Sequence, residues 1–317
     1  MSQAPIDRRL ELLREVMSRE RLAACIFPCT DPHTNTDIAD HWKSLEWMSG
    51  FSGNVGTAVV TMTAAALWTD GHNMAKAKEQ LQGTEYQVMC IDAPGTLAMV
   101  RWMGREIEAS RHPYSDWSEV AIDGTCWPFG KVKQLINELR RENGITLRTN
   151  FDALRHLWTD RPPIPTNLIV RLSENLTEEP VHVHLERIRK ALRTQHADGM
   201  LVAASKDIGW ALNLYDGNSS IQAVRAAYLL ISSRSATLFA DRTRMSPDVL
   251  DYLKAEGVTV NDYAVVGTGL KNYFEYNILM DPEEANYSLY YLLKQYKPPT
   301  GHITQIIEEP SPVAALR

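Results

Sequence analysis

The chain has 317 residues, with 33 Lys and Arg against 39 Asp and Glu, a formal net charge of -6 and 44% hydrophobic residues. This length fits two domains of about 150 residues each, and the acidic balance (pI ≈ 5.9) argues against a general nucleic-acid binder, which would carry a basic face. No apolar run reaches the 18 or so residues of a membrane span, and the opening MSQAPIDRRLELLREVM is charged throughout, unlike a secretory signal, so a cytoplasmic location is expected.

Ile6, Leu10, Leu13 and Met17 recur at helical spacing behind Pro5 and predict an amphipathic helix to Leu22. The apolar run Ala23 to Pro28 predicts a buried strand. A second helix is expected from His41 to Met48, with Trp42, Leu45 and Met48 on one side. Gly50, Gly53 and Gly56 then lead into a strand pair, Thr57 to Met62 and Ala64 to Thr69, and Asp70-Gly71-His72-Asn73 turns the chain into a helix that ends at Gln82-Gly83. Tyr86 to Ile91 predicts a strand, and Pro94-Gly95-Thr96 turns into a helix bearing Leu97, Val100 and Met103. Glu119 to Ile122 and Ile145 to Arg148 predict strands around a helix, Pro128 to Glu142, closed by Asn143-Gly144. Phe151 to Asn167 carries three closely spaced prolines and predicts a connection, with the domain boundary near Asp160 to Glu179.

The plan then repeats. A helix (Val183 to Thr194), a strand (Met200 to Ala204), a short helix holding Trp210 (Asp207 to Leu214) and a turn (Tyr215-Asp216-Gly217-Asn218) are followed by a strand pair, Ala223 to Ser232 and Ala236 to Ala240. Asp241 leads to a helix, Ser246 to Ala255, with Ser246 as N-cap and Pro247 first in the helix. AAALWTD (Ala64 to Asp70) matches SATLFAD (Ser235 to Asp241), and LEWMSGFSGN (Leu45 to Asn54) parallels IGWALNLYDGN (Ile208 to Asn218), which points to an internal duplication. Strands at Val258 to Asn261 and Asn277 to Met280, a helix from Pro282 to Gln295 and an extended Ile303 to Ile307 close the second unit. Ser311 and Pro312 begin a helix with Val313 and Leu316 expected unburied, which reads as the seam to a further domain.

No chemical motif completes itself. The glycines at 50, 53 and 56 lead into a strand, whereas a phosphate cradle lies between a strand and a helix, so a tight loop is favoured over a nucleotide site. His182 and His184 could face a metal from a strand, but no third ligand is tied to them and an exposed helix start is favoured. His33 and His41 are isolated and expected at polar surfaces. Asp70 and His72 could share acid–base work in one turn, yet capping of the following helix by Asp70 is the simpler role. Asn175, Asn218 and Asn286 begin glycosylation-type triplets that mean little without a secretory signal. Cys25, Cys29, Cys90 and Cys126 are sparse, and no second pair completes a metal site with Cys25 and Cys29, so buried or indifferent thiols in a reducing compartment are expected.

SGFSGNVGTAVVT, TAAALWTDGHN and KEQL closely resemble the first domain of the cytosolic type of Xaa-Pro aminopeptidase (aminopeptidase P). LWTDRPPIP (Leu157 to Pro165) looks like that family's connection between its first two domains. LERIRKAL and DIGWALNL resemble its second domain, and EEPSPVAALR the run before its catalytic domain. The resemblance covers essentially the whole chain. It implies an α/β fold of two tandem creatinase N-terminal-like (ribonuclease H-like) domains, 1–160 and 161–317, each a mixed sheet flanked by helices.

The resemblance also implies that the catalytic pita-bread domain is absent here, with its two divalent metal ions, usually manganese. In the family a metal-bound hydroxide attacks the bond between an N-terminal residue and a following proline. No catalytic or metal-binding residue is therefore assigned to this chain, and no cofactor. Its implied partners are its own C-terminal catalytic domain, proline-containing peptides and a second copy in a homodimer, with neither nucleic acid nor membrane. The implied work is to wall the active-site cleft and support dimer assembly, with Asp70, Gly71, His72, Tyr215 and Asp216 as candidate cleft residues. The chain departs from the family where TDGRY becomes TDGHN and NLRG becomes NLYDG, and where Asn-Pro-Val gives way near Gln222-Ala223-Val224. Loss of the fixed arginine charge at His72 points to altered substrate choice or weakened activity. The alternative is a stand-alone binding or scaffold protein, or an inactive paralogue.

Overall fold

The computed structural model describes residues 5–91, 96–110, 117–177, 179–217, 223–271, 276–295 and 305–317. These form two compact units, one of Met1–Asp31 and Thr36–Pro162, the other of Pro32–Asn35 and Pro163–Arg317.

The first unit runs α1 (Ile6–Glu20), β1 (Leu22–Pro28), α2 (Ser44–Ser49), β2 (Thr57–Thr61), β3 (Ala65–Thr69), α3 (Met74–Gln80), β4 (Tyr86–Cys90), α4 (Leu97–Ala109), β5 (Glu119–Ala121), α5 (Phe129–Asn143) and β6 (Thr146–Arg148). Its sheet has the order β4-β3-β2-β1-β5-β6. Only β2 runs against the rest, because it pairs antiparallel with β1 and β3 while β3–β4, β1–β5 and β5–β6 are parallel. All seven residues of β1 are buried, as expected of a central strand covered on both faces. The spacing predicted for α1 is the face it buries: Leu10, Leu13 and Met17 lie in the core with Leu67 and Val60. The WTDRP segment is fastened by aromatic and cationic contacts. Trp158 stacks on Trp47 at 5.5 Å, and the buried Arg9 guanidinium lies 4.8 Å from the Trp47 ring and donates to the Trp47 carbonyl.

The second unit runs β7 (Ile169–Arg171), α6 (Val181–Thr194), β8 (Gly199–Val202), α7 (Ser205–Leu212), β9 (Leu214–Asp216), β10 (Tyr228–Ser232), β11 (Ala236–Phe239), α8 (Pro247–Ala255), β12 (Val258–Asn261), α9 (Val266–Leu270), β13 (Ile278–Met280), α10 (Tyr287–Gln295), β14 (Ile306–Ile307) and α11 (Pro312–Leu316). Its main sheet, β12-β11-β10-β8-β13-β14, repeats the first strand for strand, again with a single reversed member, β10. Registers match as well. Trp68 faces Thr57 across the first hairpin as Phe239 faces Tyr228 across the second, so the LWTD and LFAD pairs occupy one position in two copies.

Several expectations are corrected. Tyr215 and Asp216 lie in a strand rather than a turn: Asn213, in the left-handed conformation (φ 51°), ends α7, and β9 then pairs antiparallel with β7, which lies in the stretch expected to hold the domain boundary. β10 begins at Tyr228, five residues later than expected, after Ala226 at φ 49° breaks the extended run. α10 begins at Tyr287 rather than Pro282, because Asp281 holds a turn through the Glu283 N–H and the Asn286 side chain accepts from Leu289 N. Val313 is fully buried in the second core, with Leu316 packed beside it, and is not left unburied. The expected turn residues Pro94 and Gly95, together with Asn218, Gln222, Ile303 and Thr304, lie outside the described residues.

Leu67 and Leu238 are fully buried at equivalent positions of β3 and β11. Replacing either with alanine is expected to destabilise its own unit by about 2–5 kcal/mol, measured by urea denaturation.

Candidate functional site

In the first unit the candidate residues follow β3. Asp70 Oδ1 accepts from Asn73 N (2.9 Å) and Asn73 Nδ2 (2.8 Å), so its carboxylate holds the turn that starts α3. The Asn73 side-chain and backbone bonds keep the Asp70 carboxyl below its usual range. Asn73 Nδ2 also donates to Asn54 Oδ1 (3.1 Å), which ties the turn to the glycine loop. From α3, Lys76 Nζ reaches the Ser52 carbonyl (2.9 Å), and Gln80 exchanges two bonds with Ser52. The glycines serve this packing. A Cβ on Gly53 would lie 2.1 Å from the Phe51 ring and 2.8 Å from Asn73 Oδ1, and Gly50 is at φ 80° closing α2. Gly71 and His72 are exposed on the turn, and a Cβ at Gly71 would meet nothing. Gly71 and His72 therefore form an exposed corner that the half-buried Asp70, through Asn73, joins to the glycine loop.

In the second unit Tyr215 is half-buried on β9, and its neighbour Asp216 is fully enclosed. Asp216 Oδ1 pairs with Arg244 Nη2 (2.8 Å) and Oδ2 with Arg225 Nε (3.0 Å). Arg244, itself 1% exposed, also donates to the carbonyls of Asn167 and Arg225. Burial pushes the Asp216 carboxyl up, against the pull of the two arginines. The carboxylate is thus the centre of an internal network, and of this pair only Tyr215 keeps part of its surface accessible.

The histidines divide by environment. His182 is exposed at the start of α6 and pairs with Glu256 (3.3 Å). His184 is buried, stacks on Trp210 at 4.2 Å and is pushed down by burial. His33 is buried rather than at a polar surface, since both ring nitrogens find partners: Nδ1 lies 3.0 Å from the Ala203 carbonyl and Nε2 2.9 Å from the Tyr263 hydroxyl. His41 is half-buried, with Nδ1 donating to the Pro162 carbonyl (2.6 Å). Cys25 and Cys126 are buried thiols, and burial pushes Cys25 up to about 12. Asn286 is buried and donates to the Tyr228 hydroxyl, while Asn175 is exposed.

One cluster had no motif to announce it. Asp207 opens α7 after β8, and Asp281 and Glu284 follow β13, the parallel neighbour of β8. Arg317 Nη1 pairs with Asp207 Oδ1 (3.0 Å), and Asp281 Oδ2 accepts from Ser311 N (2.7 Å), so both carboxylates hold the ends of α11. Burial, then the charges of Asp207 and Asp281, push Glu284 up to about 8.

Replacing Asp216 with alanine leaves the Arg244 charge buried and is expected to cost about 3–5 kcal/mol in urea denaturation. For Glu284 the folded pKa near 8 lies above the ordinary 4.5, so the native state binds more protons between these values. Stability is therefore expected to fall as pH rises from about 4.5 to about 8, by a few kcal/mol at most, and to level off above. Glu284→Gln removes that slope in urea titrations across this range.

Residues 9–156 match the Creatinase/Prolidase N-terminal domain family, and residues 160–317 match a second family model of the same description. The chain is 28% identical over 301 residues to Xaa-Pro aminopeptidase 2 of Rattus norvegicus, covering 91% of this chain and 43% of that protein. It is 30% identical over 260 residues to a probable Xaa-Pro aminopeptidase P of Botryotinia fuckeliana, covering 81% of this chain and 38% of that protein. The cytosolic X-prolyl aminopeptidase of Caenorhabditis elegans, described with a di-nuclear active site, shares the fold with a TM-score of 0.81 at 22% identity, over 96% of this chain and 50% of that one. The chain thus spans half or less of these relatives. With two family matches tiling it and one sheet topology built twice, the chain belongs to the creatinase/prolidase N-terminal domain family, as a tandem pair related to the front of Xaa-Pro aminopeptidases.

Proposed function

We propose that this chain is the non-catalytic front of an Xaa-Pro aminopeptidase, an enzyme that removes the N-terminal residue from peptides with proline second. The observation that carries the reading is the tiling: two creatinase N-terminal matches fill residues 9–156 and 160–317, and the aligned aminopeptidases extend well beyond the aligned part. The two domains wall the cleft of a following catalytic domain, limit which peptides enter and support a homodimer. The turn at Asp70, Gly71 and His72 and the half-buried Tyr215 are the residues we assign to that cleft. Asp216 acts there by positioning, since its carboxylate is committed to Arg225 and Arg244.

The family's two metal ions find no fit here. Among the described residues no group of three or more His, Cys, Asp or Glu side chains is placed to hold a metal ion, so no metal-dependent step is derived from this chain. We assign the two ions, as manganese, to the catalytic domain. Free thiols at all four cysteines accord with a reducing cytoplasm, and among the described residues no helix is long and apolar enough to cross a membrane.

A chimera tests this reading. This chain replaces the aligned front half of the nematode enzyme, and hydrolysis of Xaa-Pro peptides is measured with manganese. The chimera is expected to turn over with a shifted KM, His72→Arg to move KM more than kcat, and this chain alone to be inert. Turnover by the chain alone, or a chimera no better than the isolated catalytic half, would overturn the proposal.

A further inference from the structure

A short piece of chain sits beyond the carboxyl end of the second unit's central strand. Pro32–Asn35 belongs to the second unit, although in sequence it follows β1. Residues 29–39 form neither helix nor strand, yet Pro32 and His33 are buried, His33 to 1% exposure. Thr34 beside them is in the left-handed conformation (φ 51°), which a β-branched residue adopts only under constraint. The backbone is thus held in a costly shape that delivers one side chain, the His33 ring, to the second unit.

The surroundings of that ring are matched to it. Ala203 directly follows β8, and its carbonyl, which can only accept, lies 3.0 Å from Nδ1. In the neutral ring Nδ1 therefore carries the hydrogen, and Nε2 accepts from the Tyr263 hydroxyl at 2.9 Å. Tyr228 opens β10 beside the end of β8, lies 4.5 Å from the imidazole between ring centres and stacks on Tyr263 at 5.4 Å. The buried Asn286 donates to the Tyr228 hydroxyl at 2.7 Å and fixes that phenol in turn. One acceptor, one donor and an aromatic wall suit a neutral imidazole. A phenyl ring would leave both polar groups unpaired, and an ammonium has no acceptor for the Tyr263 O–H. The place is also one where open α/β sheets receive ligands, beyond a central strand with β10 on one side and the crossover strand β13 on the other.

We propose that the carboxyl end of β8 is a peptide-binding site for a histidine residue, which His33 fills from within the chain. A histidine-bearing segment of another peptide takes its place when Pro32–Asn35 swings out. A tethered segment competes at an effective concentration in roughly the millimolar range, so the intact chain masks the site. The site lies wholly within the second unit, and the inference stands apart from the peptidase reading.

The test uses the full chain and the capped tetrapeptide acetyl-Pro-His-Thr-Asn amide, followed by ligand-detected NMR titration. The His33→Ala chain is expected to bind it with a Kd on the order of 1 mM, and the unaltered chain about tenfold more weakly. Adding Tyr263→Phe to His33→Ala is expected to weaken binding about fivefold. A peptide with alanine for histidine, and one with π-methylhistidine, which cannot donate to the Ala203 carbonyl, are both expected to bind little. A gain of binding on loss of a buried side chain, confined to the histidine peptide, is a direction that misfolding could not produce. Equal binding to both chains, binding to neither, equal binding of the alanine or methylated peptide, or no response to Tyr263→Phe would overturn the proposal.

Discussion

Both sheets depend on one constraint: their central strands, β1 and β8, must be paired on both edges, antiparallel to a hairpin on one side and parallel to a crossover strand on the other. A strand so placed is covered on both faces, and ACIF and GMLV supply the apolar side chains this requires. The hairpin brings the chain back beside the strand, and its second member, β3 or β11, then starts a parallel crossover. A crossover needs a sharp start. Asp70 holds that start through Asn73 N and Asp241 through Thr243 N, and in each case the carboxyl is kept below its usual range mainly by its side-chain bond. The aspartate that ends LWTD and LFAD is therefore required first by topology, and any role toward a ligand is added to that one.

The hairpins, the amphipathic helices and the repeat could all be read from residue order, because each leaves a period or a pair of matched strings. Leu10, Leu13 and Met17 mark a face, and LWTD and LFAD mark a register. What could not be read lacked such a signal. β7 and β9 are three residues each, too short to show an alternation, and a left-handed asparagine separates β9 from the helix before it. The Asp216 network joins residues up to 77 apart in sequence through two arginines that no local pattern links. His33 reads as an isolated polar residue and His184 as part of an exposed helix start with His182, and burial came from ring partners supplied by distant segments, Tyr228 for one and Trp210 for the other. Of the candidate site, the position of Asp70 in its turn was readable, and the enclosure of Asp216 was not.

The two copies have kept one framework and diverged in what fills its carboxyl edge. In the second unit the end of β8 is closed by α11, whose Val313 joins the core while Arg317 neutralises Asp207. In the first unit Arg161 does the corresponding work against Asp152, also by a bidirectional hold, since its Nε donates to the His41 carbonyl. In each copy an arginine thus meets a carboxylate beyond the central strand pair. The arginine of WTDRP, Arg161, thus has a structural role that does not involve substrate.

The departure at TDGHN can be weighed in the same terms. Asn73 is short enough to sit against Gly53, and its side-chain NH₂ has two donors and reaches both Asp70 Oδ1 and Asn54 Oδ1, which a single phenol O–H could not reproduce. The change from tyrosine thus ties the turn to the glycine loop rather than loosening it. At the next position back, histidine leaves an exposed corner without the permanent charge an arginine would have placed there. A turn made firmer and a surface made less cationic are opposite kinds of change in adjacent residues. The two side chains therefore do different work in one turn: Asn73 fixes its shape through Asp70 and Asn54, and His72 sets the charge of its exposed side.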